Sequence, residues 1–285
     1  MAGSPKPRPA RPAQITSMMP DAPPAPPAID SHAHLNHPRL SRKLGQVLAR
    51  ARAAGVTQMI VVGYDLPSSE AAMKLAESAD GLWATVGVHP HDASGVGADT
   101  IETLRDLSLS ERVVAIGETG LDFYRDLSPR ETQEGSFRRH LDLAVELRLP
   151  IVIHCREAQE RLLMILREYA SEGLTLIWHS FDGTPAHAAV ALSLGAFLGL
   201  NGMLTYPRNV HLVEIAAAVP LDRLLLETDC PYLAPEPRRS RDNEPANLPL
   251  IADAIAEARR IPAADVVRAT TANARRAFAR RAASP

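Results

Sequence analysis

Two histidines two residues apart, His32 and His34, lie in the short apolar segment Ala28–Leu35. Because a β-strand alternates its side chains between two faces, both imidazoles would point the same way, about 6–7 Å apart along the strand. Two imidazoles directed at one volume can bind the same metal ion. The alternative is a strand end at which two surface histidines coincide by chance, and the rest of the chain must decide between the two.

Further residues of metal-binding type follow later apolar segments. They are His89, His91, Glu118, His154, His179 and Asp229. Each has a simple explanation by itself, as a hydrogen-bonded rim residue or a loop cap, but that explanation would have to hold separately after five segments. A binuclear hydrolytic site is the better interpretation, because two divalent ions need about as many ligands as are supplied by His32, His34, Glu118, His154, His179 and Asp229.

Strand-like and helix-like segments alternate from residue 28 onward, about every 25–30 residues. Eight buried strands are predicted at Ala28–Leu35, Thr57–Gly63, Leu82–His89, Arg112–Glu118, Pro150–Cys155, Leu174–Ser180, Gly195–Gly202 and Arg223–Asp229. Helices are predicted at Leu40–Ala54, Pro67–Ala79, Thr100–Leu107, Pro129–Leu147, Glu157–Ala170, Pro185–Leu194, Asn209–Val219 and Pro245–Arg260, followed by a final pair at Ala263–Val267 and Asn273–Arg281.

Eight β/α units in roughly 255 residues predict an α/β fold, a TIM (β/α)8 barrel with additional C-terminal helical structure. In such barrels the catalytic residues lie at the carboxyl ends of the strands. The candidate metal-binding residues of this chain are at the predicted carboxyl ends. No Gly-x-Gly-x-x-Gly or Walker loop follows a strand, which argues against a doubly wound nucleotide-binding sheet.

Composition excludes several other classes of protein. The 285 residues carry a net charge of −2. The chain therefore lacks the overall positive charge that would by itself indicate a nucleic-acid-binding protein. No segment reaches transmembrane length, and a membrane role is not expected. Residues 1–27 contain nine prolines and are predicted to be a disordered tail, which leaves 28–285 as the barrel domain. The only cysteines, Cys155 and Cys230, form no disulfide framework and favour a reducing, cytoplasmic setting.

Seven motifs, in the right order and spacing over 28–280, resemble the TatD family of metal-dependent deoxyribonucleases. They are IDSHAHL (29–35), VGVHPHD (86–92), AIGETGLDF (115–123), LPIVIHCREA (149–158), WHSFDGT (178–184), LLLETDCPYLAP (224–235) and Asn243-Glu244-Pro245. Two departures are small. The glycine-rich approach to Asn-Glu-Pro is replaced by 238–242 (RRSRD), and the usual His-Cys-Phe-Ser-Gly is His179-Ser-Phe-Asp-Gly183.

The resemblance implies that His32, His34, Glu118 and Asp229 hold one metal, and that Glu118, His154 and His179 hold a second. A bridging role for Glu118 is physically sensible, because a carboxylate has two oxygens and can span two ions. Two divalent ions (Mg²⁺, Mn²⁺ or Zn²⁺) would lower the pKa of a water between them so that it becomes the nucleophile. Asp229 is the candidate to orient that water and accept its proton.

Other residues have two interpretations each. Arg156 is a candidate phosphate clamp, or a surface ion pair on the following helix. His89 and His91 are candidates to contact the phosphate or protonate the leaving oxygen, and the alternative is a structural turn anchored by Pro90. Asp122 either orders its loop or reaches the site. Cys155 and Cys230 alternate with candidate ligands and are expected to point away into the core.

The loop after the eighth strand contains Arg238, Arg239 and Arg241, which either contact phosphates or are simply solvated. Asp229, Glu118 and His89 are therefore the candidate catalytic residues, and Arg156, His89 and His91 the candidate substrate contacts. The substrate expected is DNA, attacked at ends or in single strands by a monomeric enzyme.

Two other functions are open to a barrel with these residues. An amidohydrolase opening cyclic amides or esters commonly bridges its metals with a carbamylated lysine, but Lys6, Lys43 and Lys74 are the only lysines and none follows a later strand. A nucleic-acid-binding barrel without turnover is expected to have lost ligands, and none is missing. The sequence therefore favours a metal-dependent phosphodiesterase.

Overall fold

Eight parallel strands form the centre of the molecule in a computed structural model that describes residue 1 and residues 26–279. They are β1 (Ala28–Ala33), β2 (Val56–Val62), β3 (Leu82–Val86), β4 (Val113–Asp122), β5 (Ile151–Arg156), β6 (Leu176–Trp178), β7 (Phe197–Leu200) and β8 (Leu224–Leu226). Each strand pairs with the next in sequence. The ring closes just beyond β8, where the Asp229 N–H donates to the His32 carbonyl at 2.9 Å and the His34 N–H to the Cys230 carbonyl at 2.8 Å.

Helices surround this barrel. Within residues 26–279 they are α1 (Pro38–Ser41), α2 (Leu44–Ala53), α3 (Leu66–Ser78), α4 (Ala98–Leu107), α5 (Arg130–Leu147), α6 (Gln159–Glu168), α7 (Pro185–Ser193), α8 (Val210–Ala218), α9 (Leu248–Arg259) and α10 (Ala263–Ala277). Side chains fix several starts: the Asp65 carboxylate accepts the Ser68 N–H before α3, and the Thr184 hydroxyl accepts the His187 N–H before α7. Among these described helices, none is both long and apolar enough to cross a membrane.

The predicted TIM barrel is confirmed, but several elements differ from their predicted bounds. The sixth and eighth strands, for example, have three residues each where seven were predicted. The predicted helix Leu40–Ala54 is divided into α1 and α2. β4 runs four residues past its predicted end at Glu118, because pairing with β5 continues to Asp122 opposite Arg156. The predicted terminal pair is the single helix α10, because residues 263–277 contain no glycine or proline that would interrupt a helix. The predicted disordered tail falls mainly on residues 2–25, outside the described part of the chain.

The two ends of the barrel differ in polarity. We call the amino end the floor: it is an apolar cluster from the barrel interior and α10, formed mainly by Ile29, Ile60, Val114, Val152, Ile177, Phe197, Leu225, Ala274, Ala277 and Phe278. We call the carboxyl end, around His32, Glu118 and Asp229, the mouth. Because α10 covers the floor, the mouth is the end at which buried polar groups can meet a substrate.

Candidate metal centre

Closure of the ring brings β1 and the segment after β8 together, and with them the first group of candidate ligands. The Nε2 atoms of His32 and His34 are 3.3 Å apart. Oδ1 of Asp229 lies 3.2 Å from Nε2 of His34 and 3.7 Å from Nε2 of His32. Asp229 adopts a left-handed φ of 56°, a conformation that is uncommon outside glycine and is frequent at functional sites.

Glu118 lies between this group and a second one. Its Oε2 is 3.4 Å from His32 Nε2, while its Oε1 is 2.9 Å from His179 Nε2 and 3.0 Å from His154 Nδ1. The preceding Gly117 has a φ of 129°, and a methyl group there would overlap the Val152 carbonyl oxygen of β5. Only glycine therefore allows β4 to approach β5 at this point and to present Glu118 inward.

The donor atoms fit divalent metal ions. Bonds of about 2.1 Å in tetrahedral geometry would place ligand atoms about 3.4 Å apart, and the distances around Glu118 and Asp229 range from 2.9 to 3.8 Å. Three groups each have ligand atoms within 4.8 Å of one another: His32/His34/Asp229, His32/Glu118/His179 and His89/Glu118/His154. Among the described residues, Nδ1 of His32 and of His34 has no hydrogen-bond partner, so the polar contacts of both rings within the protein are made through Nε2, on the side of Glu118 and Asp229.

The carboxylates and histidines of the site shift one another's pKa values. Burial alone would raise the pKa of Glu118, but the nearby His179 and His32 and the hydrogen bond with His154 outweigh burial and hold that pKa well below its usual value. Burial would likewise lower the pKa of His179, but Glu118 raises it well above the ordinary value. In the same way, His34 offsets burial and lowers the pKa of Asp229. Because its pKa is raised, His179 carries a proton that it must lose before it can bind a metal ion. The affinity for metal is therefore expected to rise with pH.

A buried carboxylate that the sequence analysis missed, Glu227, lies behind His179. Its Oε1 accepts the Ser180 N–H at 2.6 Å, lies 3.3 Å from Asn201 Nδ2 and is 3.5 Å from His179 Nδ1. Gly199 on β7 leaves room for it, since a methyl group there would overlap Oε2 of Glu227. Two signals were available: Glu227 precedes Asp229 by two residues, and Asn201 follows directly after β7.

A second buried network fixes the position of Asp229. The Asp30 carboxylate accepts the Thr228 N–H at 2.9 Å and the Thr228 hydroxyl at 2.6 Å. The Asn243 amide donates to the carbonyls of Thr228 and Tyr232, both at 2.8 Å. Asn243 of the Asn-Glu-Pro motif is therefore a structural residue that holds the loop after β8.

His89 and His91 follow β3 and take part in both a turn and the site. His89 caps the start of the 3-10 helix Pro90–Gly95, and its Nδ1 accepts the His91 N–H at 3.2 Å. The neutral His89 ring therefore carries its proton on Nε2, which lies 3.7 Å from Glu118 Oε1. Burial, aided by His154, lowers the pKa of His89 well below its usual value, so this neutral form dominates.

Asp122 reaches the site and orders its loop as well. Its Oδ2 is 2.9 Å from His91 Nε2 and 3.3 Å from His154 Nε2. Its Oδ1 accepts the N–H groups of Tyr124 and Arg125 at 3.0 and 2.8 Å. Asp122 thus orients the His154 ring so that Nδ1 faces Glu118, as carboxylates behind metal-binding histidines do.

The remaining candidates lie around the mouth. Arg156 is the last residue of β5, and its guanidinium lies 3.8 Å from the Tyr124 ring centroid; among the described residues it forms no ion pair. Arg238, Arg239 and Arg241 are exposed, and Arg239 packs over Tyr206 at 4.1 Å. Cys155 and Cys230 are buried and free, as expected of core residues.

Comparisons with known proteins agree with this geometry. A family model described as TatD related DNase matches residues 29–279. The chain is 42% identical over 232 residues to the 3'-5' ssDNA/RNA exonuclease TatD of Klebsiella pneumoniae, covering 80% of this chain and 88% of that protein. It is 39% identical over 249 residues to the uncharacterized metal-dependent hydrolase YabD of Bacillus subtilis, covering 87% and 98%. The crystal structure of YJJV, a TatD homologue from Escherichia coli K12, superposes with a TM-score of 0.84 at 30% identity, covering 88% and 97%.

Proposed function

The chain belongs to the family of TatD-related DNases, and we propose that it is a metal-dependent nuclease that hydrolyses phosphodiester bonds of DNA at ends or in single strands. One observation supports this most directly: the two oxygens of Glu118 face two different groups of nitrogen donors. That is the arrangement a carboxylate needs to bridge two divalent ions. The Klebsiella relative's name, an exonuclease of single-stranded DNA and RNA, supports the substrate class.

We assign His32, His34, Asp229 and Oε2 of Glu118 to one ion, and His154, His179 and Oε1 of Glu118 to the other. His89 lies within reach of the second group. Imidazole and carboxylate donors suit Mg²⁺, Mn²⁺ or Zn²⁺. When bound, the ions would polarise the phosphodiester and acidify the attacking water.

The protein's own groups then have separate tasks. The Asp229 side chain is 12% exposed against 4% for Glu118, so Asp229 is the carboxylate that a water at the mouth can reach, orient against and pass its proton to. Neutral His89, with its proton on Nε2, donates a hydrogen bond to a phosphate oxygen. Arg156 contributes positive charge at the end of β5. His91, held by Asp122, is the further phosphate contact.

The decisive experiment replaces single carboxylates. We expect Glu118→Ala and Asp229→Ala each to lower cleavage of a single-stranded DNA oligonucleotide with added Mg²⁺ or Mn²⁺ by at least about 10³-fold, since several kcal/mol of transition-state stabilisation is lost. Asp253→Ala, at an exposed position on the outer helix α9, is the matched control and should keep wild-type activity. Wild-type cleavage by Glu118→Ala would reject the assignment.

A substrate screen separates this function from its rivals. DNA, RNA and a small cyclic amide would be offered to the wild type while the metal is varied. Of the lysines, Lys74 is exposed on α3 beside Glu70 at 3.2 Å and Lys43 precedes α2, so neither is placed to bridge metals as a carbamate. Turnover of the amide without phosphodiester cleavage would overturn the proposal. Binding of DNA with no turnover under any metal would favour a non-catalytic barrel.

A further inference from the structure

Two exposed tyrosines flank the mouth. Tyr124 is 53% exposed and Tyr232 is 43% exposed, more than any other described aromatic residue. Tyr124 follows the end of β4 by two residues, and Tyr232 comes three residues after Asp229. In a closed ring of eight strands β4 and β8 are four places apart, so the two tyrosines follow strands on opposite sides of the barrel.

Tyr232 lies beside the first ligand group. Its ring centroid is 5.9 Å from that of His34 and 5.7 Å from that of His37, both edge-on. The Arg39 guanidinium is 5.9 Å from the same centroid. The backbone of Tyr232 is held at both polar atoms, because its N–H donates to the Asp229 carbonyl at 2.9 Å and its carbonyl accepts the Asn243 amide at 2.8 Å. The ring is therefore positioned by the residues that position Asp229.

Tyr124 lies beside the second ligand group. Its N–H donates to Oδ1 of Asp122, the carboxylate that also contacts His154. The Arg156 guanidinium packs over the ring at 3.8 Å, yet more than half of the residue stays exposed. Scattered exposed apolar residues are ordinary on a protein surface. These two differ because each adjoins the site, is fixed by its residues and has a guanidinium beside it.

We propose that Tyr124 and Tyr232 are base-stacking surfaces for single-stranded nucleic acid, one on each side of the phosphodiester that is cleaved. Aromatic rings combined with cationic side chains bind single strands without regard to sequence, because every base has a π-face and every nucleotide a phosphate. A base can stack on a protein ring only when it is not paired and stacked in a duplex. The inference rests on the proposed function and adds the residues that make the site select unpaired strands.

The test measures KM and kcat for cleavage of a short single-stranded DNA. Stacking contributes about 1–3 kcal/mol per base, so Tyr124→Ala and Tyr232→Ala should each raise KM about fivefold or more with little change in kcat. Tyr124→Phe and Tyr232→Phe keep the ring and should stay near wild type. Met164→Ala, at an exposed position on the outer helix α6, is the control for loss of an exposed apolar side chain.

A substrate without bases distinguishes stacking from a merely structural role of the two tyrosines, because only stacking makes the effect of the tyrosine substitutions depend on the presence of bases. With abasic analogues at the two nucleotides flanking the cleaved bond, wild type should lose affinity, and the alanine variants should lose little more. The ratio of kcat/KM for single-stranded DNA to kcat/KM for double-stranded DNA should also be smaller in the alanine variants than in the wild type. If wild type cleaves single strands and both alanine variants keep its KM within twofold, the inference is overturned and the proposed function stands. If wild type neither binds nor cleaves oligonucleotides, both are overturned.

Discussion

The mouth and the floor of the barrel are formed by the same strands, only a few residues apart. In β1 the floor residue Ile29 is followed three positions later by His32 of the mouth, and in β5 Val152 is followed by His154. At the floor, buried side chains are apolar and stabilise the fold by leaving water. At the mouth, buried side chains are titratable and are tolerated because they contact one another. In β1 and β5, residues that stabilise the fold and residues that can take part in chemistry therefore lie only two or three positions apart.

The largest effect that this comparison predicts is at the floor. Phe278 packs against the end of the barrel beside a cavity of about 280 Å³, which Trp83 and Ile60 also line. Phe278→Ala should destabilise the fold by about 3 kcal/mol, at the low end for such a change because a cavity is already present. Thermal unfolding should show Tm lowered by about 6–12 °C, while kcat at 25 °C stays at the wild-type value.

The control for that measurement is Glu118→Ala, in which activity rather than stability is the main loss. Its nuclease activity at 25 °C is expected to fall at least about 10³-fold in protein that is still folded, although loss of the charge partner of His179 also lowers Tm. A lowered kcat in folded Phe278→Ala would show that packing at the floor affects the mouth, so that stability and chemistry are not separate in this barrel.

The strands and their polar ends could be predicted because both are local properties of the chain. Short apolar segments such as Ile151–Ile153 mark strands, and the polar residues that follow several of them are the residues that meet at the mouth of the barrel. Glu227 could not be assigned in the same way, because its role depends on the closeness of His179 and on the missing side chain at Gly199. Both depend on which strands become neighbours when the barrel closes, and the spacing of residues along the sequence does not show that. The assignment of metal ligands stays a prediction, as do the boundary at residue 28, the monomeric state and the cytoplasmic setting.

A smaller effect is predicted behind the mouth, at Glu227. Glu227→Gln removes the charge opposite Nδ1 of His179, and partners of this kind contribute about 10- to 100-fold to metal affinity or activity. We expect the Mn²⁺ concentration for half-maximal cleavage to rise by that factor, with kcat at saturating Mn²⁺ close to wild type. Gly199→Ala should act in the same direction, because its methyl group would displace the Glu227 carboxylate.

Gly135 supplies the matched glycine control. It lies on α5, and apart from its chain neighbours and the nearby backbone of that helix no described atom lies within 4 Å of the position that a methyl group would take, so Gly135→Ala should leave the Mn²⁺ dependence unchanged. Identical Mn²⁺ curves for wild type, Glu227→Gln and Gly199→Ala would show that Glu227 is only a buried structural carboxylate.

A pH-dependent effect is predicted for Asp30, which lies between floor residue Ile29 and mouth residue His32. Burial raises the pKa of Asp30 to about 7, although hydrogen bonds from Thr228 and the His32 backbone act to lower it. An unfolded chain ionises aspartate near pH 4. Between about pH 4 and 7 the folded protein therefore keeps a proton that the unfolded chain has lost, and this residue's contribution to stability falls as the pH rises. Its slope is at most about 1.4 kcal/mol per pH unit.

Asp30→Asn removes this titration and keeps a side chain that can accept the Thr228 N–H. Urea unfolding of both proteins, with chelator present and at intervals from pH 4.5 to 7, gives the free energy of unfolding at each pH. The histidines of the mouth titrate in the same window but are common to both proteins, so the difference between the two curves isolates Asp30. That difference should move in favour of Asp30→Asn as the pH rises. Parallel curves would mean that Asp30 is already ionised at pH 4.5, held charged by Thr228, and would place it with the paired carboxylates of the mouth.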